Sequence, residues 1–247
     1  MVPSAALALP PADDQATATV LPASDVLDTL SASPRVNAVM LDPWYNRGTG
    51  GERDDYHDWL AAVIESSCRV ADHVFVWGFP EILAHQIARL PDGIGLLAWL
   101  TWFYKNCPSV IRGWRSAQNT CLHLAAPNAK VYPENFLNDD QMKRWRNGKM
   151  RFIPGPPSVL EAPLNIGFVG RAEQTGHPAQ KPLAVIEPLV RMTTTGGDTV
   201  LDPMCGAGTT GEACLRIGRN AILCDHSDEY LSVTRARIAR WHSANGG

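Results

Sequence analysis

Apolar residues along this chain follow two alternating rhythms, short unbroken runs and stretches spaced near 3.6 residues, and that alternation predicts an α/β sheet. The short runs predict strands at Thr17–Leu21, Asn37–Leu41, His73–Trp77, Leu96–Tyr104, Asn119–Ala125, Thr199–Asp202 and Ala221–Cys224. Helical spacing is clearest over Tyr56–Val70, where Trp59, Leu60, Val63, Ile64 and Val70 share a face, and it returns at Glu81–Leu90, Leu183–Met192, Thr209–Ile217 and Asp228–Trp241. Ser24 reads as the N-cap of one or two helical turns over Asp25–Leu30. Asp42-Pro43 closes the second strand and Gly78-Phe79-Pro80 the third. Strands joined by helical crossovers lie parallel.

Two stretches lack either rhythm. The first 16 residues, rich in Ala and Pro, are expected to be a flexible tail, which leaves 17–247 as the folded domain. From Asn128 to Pro163 the pattern dissolves into a segment punctuated by Pro and Gly. Apolar residues make up 45% of the 247 and charged residues 19%, which excludes a mostly disordered chain, a collagen-like repeat and a coiled coil. Apolar runs such as Gly95–Leu100 fall far short of the roughly 20 residues of a membrane span, so no membrane segment is expected. Ala5–Leu9 has no Lys or Arg before it, which speaks against a secretory signal and for a cytoplasmic protein. No pair of the six cysteines stands in a C-x-x-C relation, so neither a metal site nor a disulfide framework is expected.

The net charge of −3 hides an asymmetry. Between Lys105 and Pro154 stand nine Lys or Arg, Arg112 and Arg115 among them, against three acids, so that window carries +6 and the remainder −9. A basic segment on an acidic body is the footprint of a face that meets a polyanion; the alternative is a solvated charged loop.

Two clusters carry candidate chemistry. In the first, Thr199-Val-Leu-Asp-Pro-Met-Cys-Gly-Ala-Gly-Thr-Thr-Gly211 puts a Gly-rich turn between a strand and a helix. Gly206 and Gly208 remove Cβ atoms where backbone must turn tightly and approach a ligand, and a helix N-terminus offers free N–H groups to an anion. Asp225 ends the next strand, 19 positions after Gly206, where a carboxylate can take both hydroxyls of a ribose. A phosphate loop fails because no Lys follows these glycines. Nicotinamide and S-adenosylmethionine sites stay open, the former weakened because only one βαβ unit fits before Gly247. In the second cluster, Asp42-Pro43-Trp44-Tyr45-Asn46 stands at the end of a buried strand, where open α/β sheets bind ligands. A carboxylate and a carbonyl can accept both hydrogens of an exocyclic amine while an aromatic ring stacks on the base. A plain surface turn is the alternative, Asp-Pro being common in turns.

Four motifs in one order resemble the exocyclic-amino DNA methyltransferases, in particular their circularly permuted beta group, from about Thr17 to Trp241. They are Asp42-Pro43-Trp44-Tyr45-Asn46, His177-Pro178-Ala179-Gln180-Lys181-Pro182, Val200 through Thr210, and Gly218-Arg219 through Asp225. The resemblance implies a seven-stranded, mostly parallel Rossmann-like sheet with helices on both faces, circularly permuted, plus a short target-recognition insertion at 128–163. It implies S-adenosylmethionine as cofactor. Asp42 and the Pro43 carbonyl would hold the amine, and Tyr45 would stack on a base flipped from the duplex. Lys181 would meet the cofactor carboxylate, Gly206, Gly208 and Thr209 would line its methionine and ribose, and Asp225 would take the ribose hydroxyls. Asp202, Pro203 and Cys205 belong to the same loop. Asp25, in Ser24-Asp25-Val26 where the family has Gly-Asp-Cys, would touch the adenine amine of the cofactor. One departure stands out: Trp44 replaces the family's second Pro and is either an extra stacking surface or the mark of a weakened site.

The reaction implied is direct methyl transfer to an exocyclic nitrogen by positioning and polarisation. A carbon-5 cytosine enzyme would need a nucleophilic Pro-Cys pair, and only the reverse, Cys107-Pro108, is present. Asp at the first motif position favours adenine N6 over cytosine N4. The expected partner is double-stranded DNA, with Lys143, Arg144, Arg146, Lys149 and Arg151 as its phosphate and groove contacts. So short a recognition segment implies either a small target sequence or a homodimer in which each protomer reads half. The rivals are a methyltransferase of RNA or protein amides and a catalytically silent DNA-binding relative.

Overall fold

The computed structural model describes residues 16–23, 25–46, 51–107 and 113–245. The expected tail, apart from Ala16, and the residues Ser24 and Arg112 therefore lie outside the described residues. Within them, eight strands form one sheet: β1 (Ala18–Pro22), β2 (Val36–Leu41), β3 (Ala71–Gly78), β4 (Gly95–Phe103), β5 (Gln118–Ala125), β6 (Val159–Glu161), β7 (Thr199–Asp202) and β8 (Asn220–Asp225). Their spatial order is β1-β8-β7-β2-β3-β5-β4-β6. The block from β1 to β3 is parallel, β5 runs antiparallel to both β3 and β4, and β6 lies parallel to β4.

Strand alternation sorts the core into two layers. On β2, Ala38 and Met40 face one side, with Val200, Ala221 and Leu223 of β7 and β8, under α5 (Leu183–Thr193), α6 (Thr209–Arg216) and α7 (Asp228–Asn245). Val39 and Leu41 face the other, with Leu201, Ile222 and Cys224, under α1 (Val26–Ser31), α2 (Tyr56–Val70) and α3 (Pro80–Ile87). Strands covered on both faces read as continuous apolar runs, which is why β7 and β8 are buried at every position.

Three expectations need correcting. The sheet has eight strands, not seven. The additional one, β6, is three residues long and lies in the stretch that shows no periodicity; it forms because Thr101–Phe103 of β4 offers a free edge, and Trp102 Nε1 donates to Ala162 O at 2.7 Å beside it. That same stretch also contains a 3-10 turn (Pro133–Phe136) and α4 (Asp139–Arg146). No residue of α4 is buried, so no apolar stripe announces it; a reciprocal capping box between Asn138 and Gln141 starts it. The first helix is capped by Asp25, whose Oδ1 accepts from Leu27 N–H at 2.7 Å.

The topology places the site. The carboxyl ends of β1, β8, β7, β2 and β3 share one edge. From β2 the chain crosses by α2 to β3 on one side, and from β7 by α6 to β8 on the other, so the crevice between β2 and β7 is a topological switch point. Because β5 runs antiparallel to β3, the chain leaves β5 at the opposite edge. There Tyr132 N–H donates to Met192 O at 2.8 Å, and Asn135 Nδ2 donates to Arg191 O and Thr194 O. β6 then carries the chain back to the cleft edge.

Candidate active site

A cleft of about 810 Å³ opens at the switch point, within the size range of cofactor sites. Its walls bring together Asp42, Pro43, Trp44 and Tyr45 after β2, Gln180 and Lys181 before α5, Asp202 to Ala207 and Thr209 after β7, Asp225 after β8, and Asp25. Residues from both clusters, up to 183 positions apart in sequence, thus share one concavity.

At the β2 end, Lys181 Nζ lies 2.6 Å from each oxygen of Asp42 and 3.0 Å from the Tyr45 hydroxyl. An ammonium has three protons, so this arrangement leaves none for a cofactor carboxylate, the partner expected for Lys181. Burial by itself disfavours the Lys181 charge, but Asp42 and Tyr45 outweigh it and hold the pKa above the usual lysine value. Lys181 also lies 5.4 Å from the Trp77 ring centre and 5.6 Å from that of Tyr45. Asp42 keeps 22% of its side chain exposed. A carboxylate has about four acceptor positions, and Lys181 with the Tyr45 hydroxyl, 3.1 Å from Oδ1, uses three. The remaining acceptor capacity is what an incoming N–H can use.

Tyr45 is held at both ends. Its ring meets Phe79 edge-on at 4.6 Å, and its hydroxyl accepts from Asn119 Nδ2 at 2.8 Å. Burial first, and the Asp42 charge second, push its pKa up to about 12, so the phenol stays neutral. Trp44 packs its ring on Tyr56 and Trp59, with centroids at 5.3 and 4.8 Å, donates from Nε1 to Gly51 O and accepts from Tyr56 at its carbonyl. The residue that departs from the family pattern therefore ties the motif to α2. Asn46 closes the loop after it, accepting from Arg53 N–H at 2.6 Å and donating to Arg53 O at 3.1 Å.

On the β7–β8 side, glycine is required twice. Gly206 has φ +48°, and a Cβ there would stand 3.0 Å from His177 Nε2; Gly208 has φ +72°, and its Cβ would meet Thr234 at 2.9 Å. Asp225 accepts from Gly206 N–H at 2.9 Å through Oδ2 and from Ser227 N–H at 2.9 Å through Oδ1, so its carboxylate is braced by backbone beside the glycine turn. Asp202 turns beneath the loop and accepts from the Thr210 hydroxyl at 2.5 Å and from Met204 N–H at 3.2 Å. Burial dominates there, with the Asp42 and Asp225 charges adding to it, and lifts the Asp202 pKa to about 7. Cys205 is buried against Thr234, and burial pushes its thiol pKa well up. Thr209 donates to Lys181 O at 3.0 Å, joining the two halves of the site. The Asp25 carboxylate serves as the α1 cap on the cleft wall.

Asn119, Phe79 and Arg237 join the site without having been singled out by the sequence, and His177, quoted within a motif, gains a role. Asn119 sits in an apolar strand pattern, and only its contact with Tyr45 reveals it. Among the described residues its Oδ1 finds no partner, although the side chain is buried. Phe79 stands in the Gly78-Phe79-Pro80 turn and meets the Tyr45 ring. His177 stacks edge-on with Tyr230 at 4.3 Å, and because its Nδ1 accepts from Ala179 N–H its proton is placed on Nε2, toward Gly206. Arg237, only 2% exposed, pairs with Glu212 at 2.6 Å and donates to the Thr209 hydroxyl at 3.0 Å under the glycine loop. The basic residues Lys143, Arg144, Arg146, Lys149 and Arg151 are all exposed, the first three on α4, whose approach begins at the edge away from the cleft.

Comparison with known proteins places this geometry. The family model N6_N4_Mtase, described as DNA methylase, matches residues 36–236. The Type II methyltransferase M2.DpnII of Streptococcus pneumoniae is 41% identical over 166 residues, covering 67% of this chain and 59% of that protein, so the chain spans about three fifths of that relative's length. Among solved structures, the M1.HpyAVI–SAM complex aligns with TM-score 0.65 at 20% identity, covering 90% of this chain and 99% of that one. The PvuII DNA methyltransferase, cytosine-N4-specific, aligns with TM-score 0.65 at 18% identity, covering 95% and 94%.

Proposed function

The chain belongs to the exocyclic-amino DNA methyltransferases, and from that membership we propose that it methylates adenine N6 in a short duplex sequence, with S-adenosylmethionine as donor. The observation that carries this reading is the meeting, in one cleft, of the Asp42 carboxylate with the Gly206–Asp225 cradle. The cradle fits the cofactor on two counts. Its backbone is bare of a Cβ atom at Gly206 on the cleft wall, while Gly208, off that wall, is required by packing against Thr234, and Asp225 keeps lone pairs free for ribose hydroxyls after accepting its two backbone N–H groups.

When bound, S-adenosylmethionine supplies an electrophilic sulfonium methyl. The protein's own part is orientation and charge. Asp42, with the Pro43 carbonyl, accepts the amine hydrogens and so frees the nitrogen lone pair for attack; it also stands ready to take the proton the nitrogen sheds after transfer. Lys181, bound to both of its oxygens, orients that carboxylate. Tyr45, its hydroxyl anchored, offers its ring to the flipped base. The intact Asp42–Tyr45–Lys181 network supports an active enzyme over a silent relative. The basic stretch within 128–163 is the recognition segment in this reading, and 17–247 is the catalytic domain.

Cytosine N4 is the second reading, because the PvuII enzyme aligns as well as the HpyAVI one. Asp42 stands where the cytosine enzymes more usually carry Ser, which favours adenine. Incubation of the full chain with duplex DNA and methyl-labelled S-adenosylmethionine, followed by nucleoside analysis, should yield N6-methyladenine. N4-methylcytosine would move the target base, and label found in RNA or protein but not in DNA would overturn the proposal.

A further inference from the structure

The loop that joins β6 to the His177–Lys181 stretch turns three apolar side chains to water: Phe168 is 86% exposed, Ile166 46% and Val169 38%. Scattered exposed apolar residues are ordinary; three within four positions, on a loop that runs into the cleft-lining His177 and Gln180, ask for a partner. The loop is held in shape. Asn106 clamps its root, accepting from Leu164 N–H at 2.8 Å and donating to Leu164 O at 2.9 Å. Gln174 Nε2 donates to Gly167 O at 3.1 Å and to Val169 O at 2.6 Å, bracing the tip from behind. Gln180, itself on the cleft wall, donates to Glu173 O at 2.7 Å and accepts from Thr175. Gly167 and Gly170 have φ of +59° and +64°, and a Cβ at Gly170 would lie 2.0 Å from Asn165 Oδ1. Left-handed glycines and side-chain braces thus hold the backbone that presents an exposed phenyl ring. The Arg171 guanidinium sits 5.3 Å from that ring's centre.

We propose that residues 164–176 form a wedge for duplex DNA, in which Phe168 enters the base stack where the target base leaves it and Arg171 meets the neighbouring phosphates. The inference rests on the DNA-methylation reading of the adjoining cleft. Removing a base leaves an unstacked gap, and apolar side chains inserted at a base step are a known means of occupying one. DNA is favoured over a second copy of this chain by two features. The loop is rooted in the cleft wall where the flipped base must arrive, and it pairs a cation with an aromatic face, a combination suited to bases beside phosphates.

The test uses the full chain and two duplexes carrying the site mapped by single-molecule sequencing of DNA from expressing cells: one with adenine at the target position for methylation kinetics, and one with 2-aminopurine there, which lacks the 6-amino group and reports base flipping alone. Phe168→Ala should lower kcat/KM and the 2-aminopurine signal by about 5- to 150-fold, the range of one lost stacking contact. The loss should shrink when the target lies opposite an abasic site, because that base is already unstacked, and Phe168→Trp should retain activity. S-adenosylmethionine affinity by calorimetry should stay at the wild-type value. Gly170→Ala, which displaces the loop but keeps the phenyl ring, should reproduce the defect. Unchanged kinetics in Phe168→Ala, or equal losses on matched and abasic duplexes, would overturn the wedge while leaving the methyltransferase reading intact. A Phe168→Ala variant that turns from dimer to monomer in sedimentation would reassign the surface to self-association. If the wild-type chain methylates no DNA, the reading beneath the wedge fails first.

Discussion

Asp42 and Lys181 lie 139 positions apart in sequence and form an enclosed ion pair at the β2 end of the site. Truncating one partner strands the other charge in a poorly hydrated pocket, so Asp42→Ala should cost about 3 kcal/mol of stability, the lower end of the usual range because Asp42 keeps contact with water. Adding Lys181→Met should recover most of that loss in thermal melts while leaving methyl transfer abolished; a double variant no more stable than Asp42→Ala would show that the pair contributes nothing to the fold. Asn119 follows a different logic. Its unpaired Oδ1 costs about 1 to 3 kcal/mol, so Asn119→Leu should melt no lower than wild type, yet kcat should fall because the Tyr45 hydroxyl loses an anchor. In a Tyr45→Phe background the same substitution should change nothing, and additive losses across that cycle would mean Asn119 acts elsewhere. Asp202 carries a pH signature. Its folded pKa near 7 lies above the unfolded value near 4, so between those pH values the folded state holds the extra proton. Stability from this group is therefore full below pH 4, falls as pH rises and is lost above pH 7. Asp202→Asn should melt with a smaller drop between pH 5 and pH 8 than wild type; parallel pH profiles would refute the assignment.

Among the elements, α4 has the plainest electrostatic reading. It holds no buried residue, it is capped by its own Asn138–Gln141 box, and Lys143, Arg144 and Arg146 stand in its last turn, where cations also suit the helix dipole. Each phosphate neutralised contributes roughly 0.9 to the slope of log affinity against log salt. Replacing all three with Ala should flatten that slope by about two to three units in filter binding, with cofactor affinity unchanged. A slope identical to wild type would make α4 a solvated face and shift attention to Arg115 and the Phe168 loop, which lie on segments leaving the sheet at the cleft edge. The start of the segment at the opposite edge, tied to the end of α5, makes this measurement decisive for how far DNA extends around the sheet.

For the whole molecule, the cleft joins the two ends of the fold, so ligand binding should report on global stability. A cofactor that binds only the folded chain stabilises it by about 2.7 kcal/mol at a concentration 100 times Kd. For a domain of this size that is a rise in Tm of about 5 to 10 °C. S-adenosylmethionine should produce such a rise in wild type and a much smaller one in Asp225→Ala, while ATP and NAD should produce none. A shift by NAD alone would revive the nicotinamide reading of the glycine turn.

What the linear pattern determined was everything carried by local periodicity or contiguous motif. Seven of the eight strands, the paired helices and both clusters of site residues were legible because a strand buried on both faces must be an apolar run, and a tight turn beside a ligand must be glycine. Tertiary structure alone decided the rest. β6 exists because β4 has an edge to fill, a condition no three-residue segment encodes. α4 buries none of its residues, so only its cap betrays it. Lys181 pairs with Asp42 because the fold seals it against Trp77 and Tyr45, where a buried ammonium needs a carboxylate beside it. Asn119 and Phe168 took on meaning only when the sheet brought one to Tyr45 and the loop turned the other to water. Contacts between residues far apart in sequence depend on chain topology, and no local spacing records them.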